Sequence, residues 1–134
     1  MKKFENYVSH LRVLKQAGGE NLENEFIISG IIDKFSLQFE LGWKTLKELL
    51  AYEGSRAATT GSPREIIKEA YAVYPFFDGD AWLKMLRDRN DMAHIYDGPA
   101  ARRLVERILT EYIPQFIKLE AEISGRCDEL FKNE

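Results

Sequence analysis

The sequence predicts an all-α fold, an antiparallel up-and-down bundle of four long helices and one short one, and three observations predict it. Apolar residues recur every three to four positions along most of the chain, the spacing that builds one buried helix face. Glycine and proline punctuate that pattern at Gly18-Gly19, Gly54, Pro75 and Gly98-Pro99, leaving segments of helical length between them. No convincing strand-like alternation of apolar and polar residues competes with it.

The first helix is expected from about Lys3 to Ala17, with Phe4, Tyr7, Val8, Leu11 and Leu14 on its apolar face. Gly18-Gly19 stops it, because paired glycines favour a left-handed C-terminal cap. The second, about Asn24 to Tyr52, is the longest periodic segment and would span roughly 40 Å, the spine of the bundle. Its stripe runs from Ile28 through Ile32, Phe35, Phe39 and Trp43 to Leu49, with Glu40, Lys44, Lys47 and Glu48 on the wetter side. Gly42 in mid-helix implies close approach by a neighbour, since glycine there costs about 1 kcal/mol against alanine.

Ser62-Pro63-Arg64-Glu65 reads as a capped helix start, and the short third helix ends near Tyr74-Pro75. Asp78 caps a fourth helix, whose apolar residues Trp82, Leu83 and Leu86 lead through Met92-Ala93. Gly98-Pro99 breaks the chain, and a fifth helix restarts near Ala100. Pro114 lies inside its pattern, so a kink or short break is expected there. Past Gly125 the periodicity weakens, and fraying is expected.

The totals fit this picture. A chain of 134 residues makes one domain, 1–134, able to bury its own core. With 45% hydrophobic and 31% charged residues it is neither disordered nor unusual. A net charge of −3 confines any nucleic-acid contact to a local patch. The one cysteine, Cys127, can make no intrachain disulfide, which points to a reducing compartment. The opening MKKFENYV has no apolar run and no stretch is long enough to span a bilayer, so a cytoplasmic protein without a membrane segment is expected.

Chemistry concentrates in Arg89-Asn90-Asp91-Met92-Ala93-His94-Ile95-Tyr96-Asp97. Taken as a helix end, positions 89 and 96 return to one face, and 90, 94 and 97 share another. His94 could move a proton at neutral pH, and Arg89 offers a planar cationic fork suited to phosphate. Asn90 or Asp97 could fix the imidazole tautomer. These parts suit metal-free cleavage of a phosphodiester with the RNA 2′-hydroxyl as nucleophile. The spacing fits another reading as well: a capped helix end held by an Arg–Asp pair and a hydrogen-bonded histidine.

Cleavage of this kind wants both a base and an acid. His10 lies far off in the first helix and is expected to be a half-buried structural residue. A second His94 from a symmetric partner would complete the site, so the catalytic reading implies a two-fold dimer. Asp78-Gly79-Asp80 opens a helix instead of lying on a strand, which makes it a cap and not a metal-binding Asp-x-Asp pair. No metal site is expected, and Trp43 and Trp82 are expected in the core.

Arg89, His94 and Tyr96, with one arginine-histidine interval of four residues, resemble the signature of the HEPN superfamily, most closely its HepT-like branch. KFSLQFELGWKTLKELL, SPREIIKEAY and DGDAWLKMLRDRNDMAHIYD resemble nucleotidyltransferase substrate-binding proteins, together covering the second helix through the motif. The resemblance implies a dimeric helical bundle paired with a separate minimal nucleotidyltransferase. In that branch the bundle is a metal-independent RNase toxin, and the transferase, as antitoxin, silences it by adenylylating the motif tyrosine. Arg89 and His94 would then be catalytic, Asn90 and Asp97 supporting, and Tyr96 the modified residue. No cofactor is implied beyond a nucleotide brought by the transferase, and RNA would be the substrate. The alternative is a non-catalytic subunit that docks the transferase and positions its substrate.

Overall fold

In the computed structural model, residues 2–91 and 97–130 are described, apart from the side chains of 57 and 127–130. They form α1 (Lys2–Leu14), α2 (Glu25–Tyr52), α3 (Pro63–Val73), α4 (Gly79–Asn90), α5 (Gly98–Arg107) and α6 (Ile113–Leu130). A π-turn, Ile108–Tyr112, joins α5 directly to α6, so these two act as one long broken helix. Among the described residues the fold is all-helical, as the periodicity predicts.

Local chemistry sets most of the helix starts. Asn24 caps α2, its side chain accepting from the N–H groups of Phe26 at 2.8 Å and Ile27 at 3.3 Å. Ser62 caps α3 through the Glu65 N–H, and its hydroxyl lies 3.3 Å from the Glu65 carboxylate, with Pro63 opening the helix. Asp78 caps α4 through the Ala81 N–H at 3.1 Å. Asp97 caps α5 through the Ala100 N–H at 3.3 Å, so α5 starts at Gly98, two residues before Ala100, with Pro99 in its first turn.

The helix ends differ more from expectation. The backbone leaves α1 at Leu14, and Gly18 and Gly19 lie in a short 3₁₀ turn, Ala17–Gly19, without a left-handed cap. Among the described residues the left-handed glycine is Gly54, at φ 95°, beyond the end of α2. There the Ser55 N–H reaches the Leu50 carbonyl at 2.9 Å and the Gly54 N–H reaches Ala51 at 3.1 Å, which satisfies two terminal carbonyls together. At the far end, α6 continues as helix through Gly125 to Leu130, where fraying was expected. The break expected around Pro114 is the π-turn just before it; Pro114 falls in the first turn of α6, where its missing N–H is best tolerated.

Pairings between helices give the topology. Tyr7 and His10 of α1 meet Gln38, while Leu14 lines a groove with Ile27, so α1 and α2 run antiparallel. Asp88 meets Arg107, and Lys84 meets Glu111, so α4 runs antiparallel to α5 and the π-turn. Trp82 is the hub of the core. It packs on Phe77 at 5.4 Å, Phe116 at 5.5 Å and Phe39 at 5.8 Å, joining α2, α4 and α6. Phe35 stacks on Tyr112 at 5.3 Å and extends this aromatic spine.

Gly42 is the reason the hub fits: a Cβ there would lie 2.7 Å from the Trp82 ring and 3.2 Å from Tyr7. The core also holds one polar thread. The buried Gln38 amide donates to the Tyr7 carbonyl at 3.0 Å, so its Oε1, 2.6 Å from His10 Nδ1, must accept from that ring nitrogen. His10 is therefore a half-buried structural residue, as the sequence predicts. Tyr7 O–H in turn donates to the Phe116 carbonyl at 2.7 Å, tying α1 to α6.

Candidate functional site

Arg89 stands in the last turn of α4, and its side chain points toward α2. The guanidinium donates through Nη1 to Glu40 Oε1, and its carbon lies 5.4 Å from the centre of the Phe39 ring. The Arg89 and Glu40 side chains are 27% and 30% exposed, so the pair sits at the bundle surface, not within the core. Glu40 is thus no simple solvated residue of the wetter side. Its second oxygen accepts from Trp43 Nε1 at 3.2 Å and lies 3.6 Å from Lys44 Nζ. Trp43 is half-buried beside it, with Lys47 Nζ 5.9 Å from its ring centre, whereas Trp82 is fully in the core.

A guanidinium carries five N–H donors in a planar fork, and Glu40 engages Nη1. The aromatic face of Phe39 beneath and the carboxylate at one edge fix the direction of the side chain. A partly buried ion pair at the bundle surface contributes only modestly to stability. A double-mutant cycle of Glu40→Ala and Arg89→Ala, read by urea unfolding, is expected to give a coupling no larger than about 1 kcal/mol.

The motif does not continue as one helix. Asp91 is extended and closes α4 with its N–H on the Arg87 carbonyl at 3.0 Å, and Asp97 is extended before α5. The shared faces expected for 89 with 96, and for 90, 94 and 97, therefore do not follow from helical register. Met92, Ala93, His94 and Tyr96 lie outside the described residues. Asn90 is exposed at the end of α4, and the Asp97 carboxylate is the α5 cap. Arg89 takes Glu40 as partner, where one reading of the spacing expected an aspartate of the motif.

A second polar cluster, which the sequence did not disclose, lies beside Arg89. Asp88 receives two hydrogen bonds from Arg107, at 2.8 and 3.0 Å, and a third from the hydroxyl of Tyr112. Burial and the Asp88 carboxylate push the Tyr112 phenol well above its ordinary pKa, and hydrogen bonding to Asp88 raises Arg107 further still. Spacing gives no hint of this, because Tyr112 counts as one more apolar-face residue when the helix is read with a uniform α period.

An apolar groove of about 200 Å³ between α1 and α2 is lined by Val13, Leu14 and Phe26, the last 88% exposed. Fourteen residues along α2 separate Phe26 from Glu40, about 20 Å, so this groove is not part of the arginine site. Among the described residues no cluster of histidine, cysteine and carboxylate side chains is arranged to hold a metal, and no helix is long and apolar enough to cross a membrane.

The family model described as "Nucleotidyltransferase substrate binding protein like" matches residues 2–125. No curated protein matches the chain.

Proposed function

The chain belongs to the nucleotidyltransferase substrate-binding-like family, whose model covers α1 through most of α6, and on that premise we propose that it is the helical partner of a separate minimal nucleotidyltransferase. In the finer reading it is a HepT-like HEPN protein, a metal-independent RNase whose activity the transferase silences by adenylylating Tyr96. The observation that carries this reading is the aim of Arg89. Its guanidinium is held at the surface, one edge on Glu40 and one face on Phe39, five positions before His94.

The chemistry needs few parts. His94 takes the proton of an RNA 2′-hydroxyl, and that oxygen attacks the adjacent phosphorus. The P–O5′ bond breaks, and a second imidazole, His94 of a symmetric copy, returns a proton to the leaving 5′-oxygen. The products are a 2′,3′-cyclic phosphate and a free 5′-hydroxyl. Arg89 stabilises the charge that gathers on the phosphoryl oxygens, with Asn90 and Asp97 supporting the imidazole. No metal enters, and the only nucleotide is the one the transferase brings.

Purified protein is expected to cleave single-stranded RNA in EDTA, with His94→Ala lowering the rate at least about 100-fold and leaving the melting temperature unchanged. Co-expression with the transferase is expected to add one adenylyl group at Tyr96, visible by mass spectrometry, and to abolish cleavage.

The family description favours a second reading, a non-catalytic subunit that docks the transferase and positions its substrate. Under it the wild-type protein leaves RNA intact, Tyr96 stays unmodified, and Arg89→Ala weakens the complex instead.

A further inference from the structure

Five positions separate Arg107 from Tyr112, yet both side chains end on the carboxylate of Asp88. In an α-helix, residues five apart point about 140° away from each other, too far to share one acceptor. The π-turn removes the conflict. Its i→i+5 hydrogen bonding brings residues five apart to the same face, as residues four apart share a face of an α-helix. Ile108–Tyr112 is that turn, and the two donors stand at its edges. Pro114 follows at once and cannot supply an N–H to a regular ladder, which favours the irregularity at this place.

The acceptor they share is next to Arg89. The last turn of α4 has backbone carbonyls with no helical partner beyond it, so side chains must hold it in place. Asp88 and Arg89, about 100° apart around the helix, are gripped from different sides: Asp88 by Arg107 and Tyr112, Arg89 by Glu40 of α2. The Asp88 side chain is only 14% exposed, and the Tyr112 ring is fully buried against Phe35, so this grip is anchored in the core.

We infer that the π-turn is a register device, and that Arg107 and Tyr112 are positioning residues which aim Arg89 by clamping Asp88. This rests on the reading of Arg89 as the group that holds phosphate. Neither residue touches RNA in this account.

The test uses the full-length protein with Tyr112→Phe and, separately, Asp88→Ala. Two quantities are read: backbone amide exchange in the last turn of α4 against that in the middle of α2, and kcat and KM on single-stranded RNA. Loss of one charge-assisted hydrogen bond in Tyr112→Phe is expected to speed exchange about tenfold at Arg87–Asp91 and lower kcat by about the same factor. Exchange in α2 should stay unchanged, and KM should move less than twofold. Arg107→Lys, which keeps the charge but loses the fork, is expected to fall between wild type and Asp88→Ala. Unchanged exchange at the end of α4 in Tyr112→Phe, or an equal rise along the whole chain, overturns the inference. If the wild-type protein leaves RNA uncut, the nuclease reading fails instead, and the exchange measurements alone decide whether Arg107 and Tyr112 hold the turn.

Discussion

Above pH 10 the protein is expected to lose stability steeply, because three tyrosines keep their protons in the folded state beyond the ordinary phenol range. Tyr7 is raised by burial and then by the Glu120 carboxylate, Tyr74 by burial and then by Glu53, and Tyr112 by burial and then by Asp88. All three rings are buried. The sign follows from linkage. Once the pH passes the unfolded value of 10.0, the unfolded chain releases phenolic protons that the folded chain retains. Each tyrosine then removes up to about 1.4 kcal/mol of stability per pH unit, roughly 4 kcal/mol for the three together. Below that pH these groups are neutral in both states and contribute no slope.

Urea unfolding at pH 9, 10 and 11 is the measurement, with phenolate absorbance followed in parallel. The phenolate signal should appear with unfolding and not ahead of it. Tyr7→Phe should reduce the slope by about one third, while costing about 1 kcal/mol at neutral pH for the lost bond to the Phe116 carbonyl. A stability that stays level from pH 9 to pH 11 would show that these phenols ionise freely in the native protein.

Two helix starts were legible because a cap is local: Ser62 and Asp78 each sit three positions before the N–H group they satisfy. Gly42 was legible for a similar reason, since a glycine inside a long apolar period has few uses except close packing. Helix ends were not. Gly18-Gly19 and Gly54 look alike in sequence, but only the turn after α2 brings the terminal carbonyls to N–H groups that need a left-handed residue.

The end of α4 is a harder case. No glycine or proline stands between Asn90 and Gly98, so periodicity carried the helix onward, while the backbone at Asp91 is already extended. The partners of the motif were hidden by distance. Glu40 and Arg89 are 49 positions apart, and no spacing rule connects them. Asp88, Arg107 and Tyr112 were hidden by geometry, because a uniform period of 3.6 puts Arg107 and Tyr112 on different faces. The motif arginine could be found from the sequence; its contacts with Glu40 and Phe39 needed the fold.

Gly42→Val is expected to cost about 3 kcal/mol, because any side chain at this position overpacks the contact between α2 and α4. A Cβ at this position meets Trp82 Cη2 at 2.7 Å and Cζ3 at 3.0 Å, and Tyr7 Cε2 at 3.2 Å. Trp82 cannot retreat, because Phe39, Phe77 and Phe116 pack around its ring. Tyr7 cannot retreat easily either, being fixed by its hydroxyl to Phe116. Valine adds two methyl groups beyond the clashing Cβ and loses rotamer freedom in a helix, so no gain in propensity offsets the strain. For a domain of this size the melting temperature should fall by roughly 10 °C.

Gly30→Ala, on the same helix, supplies the contrast. Nothing lies within 4 Å of a Cβ there, so the substitution is expected to stabilise the protein by up to about 1 kcal/mol through helix propensity alone. Opposite signs for the two glycines, read as melting temperatures, would locate the constraint in the Trp82 contact. If Gly42→Val melts with the wild type, α2 and α4 do not approach as closely as described, and the placement of Arg89 beside Glu40 goes with it. Trp82→Phe, which shortens the ring facing Gly42, should recover part of the loss in the Gly42→Val background, because the two side chains compete for one space.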